Sequence, residues 1–304
     1  MKIDWNETIG YGLIVGAACF FGGSASLGKT LMMNGISTIM LMEVRSVITA
    51  VVLFPLLLIF ARNHLKISKY DIPGLVLLAI PGLALVNASY YYAVKTLPVA
   101  MAVFIQFTAP VIIFLFALIT RKESASAGKV LALFLSIAGT YLMVQLNHSS
   151  TGKLSTPGLI SAVISMLSFA FYVLVSHRLG KKHSSWTLIF YGYSFAALFW
   201  CLVQNFKTTA EVLSTNHLWS PALLFVLFST LIPFSLFLDG LRRVSPTGAS
   251  IASTMETVSA TMFAFFFLDE RLSAGQIAGA ALIFSAVLIL VYQSRTVPVL
   301  EEVQ

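Results

Sequence analysis

The sequence predicts an all-α membrane protein with ten transmembrane helices, arranged as two inverted five-helix repeats. Three observations lead to this fold class. Hydrophobic residues make up 58% of the 304 residues and charged residues only 10%, whereas roughly a quarter of a typical soluble domain is charged. Ten apolar stretches are long enough to cross a bilayer. Finally, one segment occurs twice, once in each half of the chain.

The ten apolar stretches set the number of predicted helices. A bilayer core requires about 20 helical residues. Helices suit this environment because they satisfy their own backbone hydrogen bonds. The predicted spans are 9–29, 38–60, 72–94, 98–119, 127–146, 158–178, 186–204, 221–241, 246–267 and 274–293.

Residues 98–128 and 246–275 are two versions of one segment, and their alignment pairs Glu123 with Glu270, 147 residues apart. Because this separation is about half the chain, we expect two repeats, 9–146 and 158–293. Five spans per repeat is an odd number, so the second repeat would enter the membrane from the opposite side. The other matched residues are Phe116-Ala117 with Phe263-Ala264 and Ser126-Ala127-Gly128 with Ser273-Ala274-Gly275.

The basic residues predict the orientation of the chain. With the amino terminus taken as cytoplasmic, 13 of the 19 Lys and Arg residues fall in the inner segments, 5 fall in the outer ones, and Arg45 lies within a span. The positive-inside rule therefore places both termini in the cytoplasm. This distribution also accounts for the basic pI, so nothing indicates a nucleic-acid partner.

The duplicated unit resembles the ten-helix, EamA-like branch of the drug/metabolite transporter superfamily. Each copy has a proline-led helix, then a short turn with a glutamate, then Ser-Ala-Gly opening the next helix; the first copy also has an interior Ala109-Pro110. Arg45 fits the arginine that is usual in span 2 of this family. The resemblance covers residues 9–293 and implies a cavity formed mainly by spans 1, 3, 4, 6, 8 and 9. It leaves the substrate open, since members carry amino acids, purines, sugars, organic cations and other metabolites.

The second copy departs from the pattern inside span 9. It has Met255-Glu256-Thr257 where the alignment gives Thr108-Ala109-Pro110 in the first copy. The interior proline is therefore missing, and we expect any hinge to be stronger in the first half.

Glu256 is the most informative polar residue because it lies about ten residues into span 9, near the membrane midplane. A charged side chain at this depth costs about 2.5–3.5 kcal/mol on insertion scales. Glu256 could bind a cationic or amine-bearing substrate, or a proton. Alternatively, it could be held in a structural ion pair with Arg45 or be satisfied by the hydroxyls of Ser253 and Ser259.

Glu43 and Arg45 are the charged pair of span 2. Two residues on a helix are about 200° apart, so the two side chains point in different directions and need partners on other helices. An interhelical structural ion pair is one outcome. The other is that Arg45 anchors the carboxylate of a substrate.

Uncharged polar residues in the spans complete the predicted site. In the first half they are Asn87, Tyr91 and Gln106, and in the second half Ser168, Tyr172 and Ser253. Aromatic walls with a few aimed polar groups are typical of ligand pockets. The alternatives are an interfacial aromatic belt for the tyrosines and bonds from the hydroxyls to their own helix carbonyls.

These features predict a secondary active transporter in the inner membrane of a prokaryote. We expect it to export a small polar or amphipathic metabolite, such as an amino acid, by alternating access around a midplane cavity. The chain has no P-loop motif to supply ATP chemistry. Proton coupling through Glu256 is a further hypothesis. Gly275-xxx-Gly279 favours internal packing, with a homodimer seam as the alternative.

Two other function classes compete with a metabolite transporter. One is an organic-cation or drug exporter, and the other is a membrane receptor that binds a ligand without moving it. An enzyme is not expected, because all five histidines map to loops or helix ends and no HExxH spacing occurs. We also expect no cofactor and no bound metal.

Overall fold

A computed structural model describes residues 5–97, 99–144, 155–268 and 272–294. Within these ranges the protein is helical and contains no strand, as the sequence predicts. The helices are α1 (Trp5–Met33), α2 (Thr38–Phe60), α3 (Lys69–Thr96), α4 (Val99–Gln106), α5 (Ala109–Ile119), α6 (Ala127–Val144), α7 (Thr156–Gly180), α8 (Ser185–Val203), α9 (Phe206–Thr215), α10 (Trp219–Leu241), α11 (Pro246–Ser253), α12 (Met255–Leu268) and α13 (Ala274–Ser294).

Eight helical stretches in the described part of the chain are long and apolar enough to cross a membrane. They correspond to predicted spans 2 to 8 and 10, with Met101–Ile119 running across α4 and α5. Predicted span 9–29 lies within α1, and predicted span 246–267 is divided between α11 and α12. Helix α9 was not predicted and occupies part of a polar connector.

Serine caps start several of these helices. Ser37 begins α2 and Ser184 begins α8, each accepting a hydrogen bond from a backbone N–H of the first turn. Such a cap satisfies one of the N–H groups that have no partner inside the helix. The two serines lie 147 residues apart, which is the separation of the duplicated segment.

Helices α4 and α5 are separated by a break, and so are α11 and α12. At the first break the Thr108 N–H donates to Ile105 O at 3.1 Å, and at the second the Thr254 N–H donates to Ile251 O at 3.1 Å. Each threonine hydroxyl donates to the same carbonyl. The helix therefore tightens by one residue at both points. Only the first break is followed by a proline, so a proline is not required for a break of this kind.

Matching the two breaks by their hydrogen bonds shifts the correspondence by one residue from that of the sequence alignment. Thr108 corresponds to Thr254 rather than to Met255, because both threonines make the same pair of bonds. Glu256 then takes the position that Pro110 takes in the first half, the second residue of the following helix.

Two segments of π-helix interrupt the long helices. They are Leu78–Ala84 within α3 and Leu227–Leu231 within α10. Residues 78–84 become 225–231 when shifted by 147, so the two segments lie at corresponding places. A π-helical turn leaves backbone groups out of the regular ladder and bends the helix.

Helices α6 and α13 pack against each other in opposite directions. Gly128 at the start of α6 lies beside Gln293 near the end of α13, while Gly139 lies against Gly279 midway. A Cβ at Gly139 would stand 2.7 Å from the Gly279 carbonyl oxygen, so glycine is needed for this close approach. Gly279 therefore serves packing within the chain.

Ionic contacts join the two halves at one end of the molecule. Asp71, at the start of α3, pairs with Lys182 Nζ at 2.6 Å in the turn before α8, and its other carboxylate oxygen lies 3.3 Å from His183 Nε2 of the same turn. Glu123 accepts from the backbone N–H of Thr247 at 3.3 Å in the first turn of α11. Its carboxylate thus stabilises a helix N-terminus. The matching Glu270 lies outside the described residues.

Candidate substrate cavity

A cavity of about 120 Å³ opens where the broken helices meet α1, α2, α3, α7 and α10. All six spans that the family resemblance implies (1, 3, 4, 6, 8 and 9) contribute lining residues, and α2 adds Arg45. Eight of its 18 lining residues are aromatic, so the walls are mostly apolar with a few polar groups. The lining consists of Ile14, Ala18, Phe21, Ser24, Arg45, Val86, Asn87, Tyr90, Tyr91, Gln106, Phe107, Phe169, Tyr172, Ser229, Phe234, Phe237, Ser253 and Glu256.

The structure brings most of the residues predicted from sequence to this cavity. Ser168 is buried but is not part of the lining. Glu43 also lies elsewhere. The predicted residues that line the cavity are Arg45, Asn87, Tyr91, Gln106, Tyr172, Ser253 and Glu256.

Arg45 is held on the wall by three hydrogen bonds. Its Nε donates to Thr230 Oγ1 at 2.8 Å, its Nη1 to Asn87 Oδ1 at 2.7 Å, and its Nη2 to the Ser229 carbonyl oxygen at 2.6 Å. The guanidinium carbon also lies 5.8 Å from the ring centroid of Phe225 and 5.3 Å from that of Phe234. Each of its nitrogens therefore already donates to a protein oxygen.

Arg45 and Asn87 each donate to a carbonyl oxygen of a π-helical segment. Ser229 lies inside the segment of α10, and its carbonyl accepts from Arg45. Leu83 lies inside the segment of α3, and its carbonyl accepts from Asn87 Nδ2 at 2.7 Å. A buried carbonyl without a partner would be costly in the membrane. Both side chains therefore support the bent helices that shape the cavity.

Glu256 contributes a free carboxylate to the cavity. No hydrogen bond or ion pair to its side chain is found among the described residues, including one from Arg45. The serine hydroxyls considered as partners are engaged elsewhere, since Ser253 donates to Ala249 O at 2.8 Å and Ser259 donates to Met255 O at 3.0 Å. The structural alternative for Glu256 is therefore not formed among the described residues, neither as an ion pair with Arg45 nor as hydrogen bonds from Ser253 and Ser259.

Glu43 and Arg45 take different partners, as their helical spacing predicts. Glu43 is fully buried, and its carboxylate accepts a short hydrogen bond from Thr209 of α9. Among the described residues, neither Glu43 nor Glu256 forms an ion pair with Arg45. Glu43 therefore fixes α9 against α2, outside the cavity.

Gln106 and Ser253 are also engaged with protein groups. Gln106 Oε1 accepts from Ser165 Oγ of α7 at 2.8 Å, which ties the end of α4 to the second half of the chain. The Ser253 hydroxyl bonds its own helix, which was the alternative reading for hydroxyls in spans.

The aromatic walls are the part of the cavity that the sequence does not single out. Phe234 is the centre of a cluster, with ring centroids 5.1 Å from Phe21, 5.9 Å from Tyr172 and 5.6 Å from Tyr193. The chain contains 24 phenylalanines, so a phenylalanine within a span carries little information by itself. Of the three adjacent tyrosines, Tyr90 and Tyr91 line the cavity while Tyr92 is exposed.

Comparison with known proteins gives this arrangement a family. Residues 8–145 and residues 156–292 each match the model of the EamA-like transporter family. The chain belongs to the EamA-like transporter family. It is therefore a multi-pass membrane transporter and not an enzyme.

Individual relatives agree with this assignment. A transporter of Archaeoglobus fulgidus without an assigned substrate is 32% identical over 68% of this chain and 74% of its own length. The S-adenosylmethionine uptake transporter of Rickettsia bellii is 24% identical over 81% of each chain. The threonine/homoserine exporter RhtA of Salmonella typhimurium is 25% identical over 66% of this chain and 65% of its own.

One solved crystal structure shares the fold. It superposes with a TM-score of 0.71 over 94% of this chain and 97% of its own, at 18% sequence identity. At that level of identity the likeness concerns the fold alone.

Proposed function

We propose that this EamA-like protein is a secondary active transporter that moves a small polar or amphipathic metabolite by alternating access. The observation that carries the proposal is the cavity itself. Two broken helices, one from each half, meet there, and a carboxylate without a protein partner faces the enclosed space. Discontinuous helices that bring backbone and charge to a midplane site are typical of such carriers.

The contacts between helices support ten spans in two inverted repeats, 9–146 and 158–293. Shifting α3 by 147 residues gives α10, and shifting α1 by the same amount gives α7. The packing of α3 on α7 accordingly recurs as the packing of α10 on α1. Eight helical stretches of the described residues are long and apolar enough to be spans. Counting α1 as a ninth span, and α11 with α12 as a tenth, gives the ten proposed.

The direction of corresponding helices supports inversion rather than simple duplication. The segment after α2 contacts the beginning of α8, where Thr187 Oγ1 donates to the His64 carbonyl oxygen at 2.9 Å. The segment after α8 contacts α2 near its beginning, where Thr209 bonds Glu43. Helices α2 and α8 therefore run antiparallel although they correspond to each other in the repeat.

Labelling of single cysteines would test the inversion. Lys122→Cys follows α5 and Lys207→Cys lies in α9, and each position is exposed. We expect a membrane-impermeant maleimide to reach Lys122→Cys only from the cytoplasmic side and Lys207→Cys only from the outside, in line with the basic residues. Labelling of both from one side would contradict the inverted arrangement and the proposed orientation of the termini.

Export is the proposed direction, and the inner membrane of a prokaryote is the proposed location. The RhtA relative supports export and an amino-acid-like substrate, whereas the S-adenosylmethionine relative supports uptake. We propose substrate contacts at Asn87, Tyr91, Gln106, Tyr172, Ser253 and Glu256, with Glu256 as the proton-coupling group. Ser168 remains a predicted substrate contact, although it is not among the residues that line the cavity. The free carboxylate favours an organic-cation exporter as the second candidate.

Transport into liposomes would test the function directly. The purified chain, reconstituted without ATP, is expected to accumulate at least one compound from a panel of labelled amino acids, nucleobases and organic cations, at least tenfold above empty liposomes. An imposed pH gradient should change this rate, and Glu256→Gln should abolish the change. Binding without accumulation would point to a receptor instead. An unchanged rate and pH response in Glu256→Gln would remove the residue from the coupling mechanism.

A further inference from the structure

We infer that the cavity selects an organic cation, a small molecule with an ammonium group on an apolar or aromatic body and without a carboxylate. The inference rests on the proposed transport function and names the chemistry of the same cavity. It follows from which charged groups of the lining are engaged and which are free.

Arg45 and Glu256 are the charged side chains among the described lining residues. Arg45 directs Nε, Nη1 and Nη2 at protein oxygens and is only 5% exposed. Two phenylalanine rings lie within 6 Å of its guanidinium carbon. These bonds use three of the five guanidinium N–H groups, and the near-complete burial of Arg45 leaves a substrate carboxylate little access to the other two. Arg45 is a wall of the cavity and not an open anion site.

Glu256 has the opposite character. Its carboxylate is half-buried, lines the cavity and has no side-chain partner in the described part of the protein. An ionised carboxylate inside a membrane protein pairs with a cation or takes up a proton. Arg45 lies within electrostatic range of Glu256 but directs its hydrogen bonds elsewhere, so a bound ammonium group would supply the direct partner.

The surrounding aromatic side chains favour the same ligand. Tyr90 and Tyr91 line the cavity and lie within electrostatic range of Glu256. Faces of aromatic rings attract cations and not anions, because their quadrupole is negative at the face. The carboxylate of a zwitterion would gain nothing from such rings, and the buried Arg45 would be its only cationic partner among the described lining residues.

The size of the cavity limits the ligand. A volume of about 120 Å³ has room for several water molecules, so it suits a molecule with about ten non-hydrogen atoms rather than a peptide. Phenethylamine, phenylalanine and 3-phenylpropionate form a matched set of this size. They share one ring and differ only in being a cation, a zwitterion and an anion at neutral pH.

Calorimetric titration of the purified full-length chain in detergent would test the inference without interference from membrane permeation. We expect phenethylamine to bind at least tenfold more tightly than phenylalanine, with no measurable binding of 3-phenylpropionate. Glu256→Gln should weaken phenethylamine binding at least tenfold. Glu256→Asp, which keeps the charge, should stay within about fivefold of wild type.

Glu211→Gln is the matched control, since Glu211 is an exposed glutamate on α9. It should bind phenethylamine as wild type does, and equal melting temperatures of the variants would show that all are folded. Preference for phenylalanine or 3-phenylpropionate, wild-type binding by Glu256→Gln, or binding of none of the three would overturn the inference. Transport of another class of compound in liposomes would then leave the proposed function standing. If no compound were transported in liposomes, the proposed transport function would be contradicted as well.

Discussion

The two halves of the protein build the same bends with different side chains. The break between α4 and α5 contains Pro110, whereas the break between α11 and α12 has Glu256 at the corresponding position. Similarly, the Leu83 carbonyl in the π-helical segment of α3 accepts from the Asn87 amide, and the Ser229 carbonyl in that of α10 accepts from the Arg45 guanidinium. The backbone geometry is common to both halves. The charged side chains of the described lining differ, since the first half contributes Arg45 and the second half contributes Glu256.

This difference separates what the fold requires from what the cavity uses. A break needs a residue that tolerates the first turn of a new helix, and both proline and glutamate do so. Pro110 is buried away from the cavity, whereas Glu256 faces it. The second half therefore makes the break with threonine hydroxyls and leaves position 256 to carry a charge. The following substitutions test this division, beginning with the largest expected effect.

Arg45→Met should reduce the stability of the protein most. Thr230 Oγ1, Asn87 Oδ1 and the Ser229 carbonyl oxygen would lose the hydrogen bonds that Arg45 donates. We expect the free energy of unfolding in detergent to fall by about 2–4 kcal/mol, since each bond in a membrane protein contributes roughly 1 kcal/mol and unsatisfied buried groups cost more.

Arg62→Met provides the control for this measurement. Arg62 is exposed and donates only to the Leu58 carbonyl oxygen among the contacts of its guanidinium. Its replacement should change the free energy of unfolding by less than about 0.5 kcal/mol. Equal losses for the two variants would show that Arg45 does not support the π-helical segment of α10.

Glu256→Pro would give the second half the residue of the first. Because Pro110 occupies the corresponding first-turn position, we expect the variant to fold with a melting temperature close to that of wild type. Binding of phenethylamine should weaken at least tenfold, equivalent to about 1.4 kcal/mol, because the only carboxylate of the described lining is removed.

Pro110→Ala is the reciprocal control, in which the break should persist through the Thr108 hydroxyl. Its affinity for phenethylamine should stay within about threefold of wild type, or less than about 0.7 kcal/mol. If Glu256→Pro does not fold, positions 110 and 256 are not structurally interchangeable, and the comparison of the two breaks fails. Undiminished binding by that variant would remove Glu256 from the ligand site.

Much of the fold and part of the site could be read from the sequence for clear physical reasons. Long apolar stretches have to cross the membrane as helices, and Glu256 drew attention because a carboxylate at the midplane is costly. The spacing of Glu43 and Arg45 predicts that their side chains point in different directions and need partners on other helices. Hydrophobicity and helical periodicity are local properties, so one chain without any relative is enough to reveal them.

The sequence by itself determined the membrane class, and it predicted the two repeats and the importance of the acidic residue at position 256. Only the tertiary structure decided which charges are free. Arg45 is engaged by Ser229 and Thr230 from nearly 200 residues away, in a π-helical segment that no composition signal marks. Partners at such distances along the chain are set by how the helices pack. That packing leaves the Glu256 carboxylate facing an aromatic cavity, whereas the Glu43 carboxylate accepts a hydrogen bond from α9.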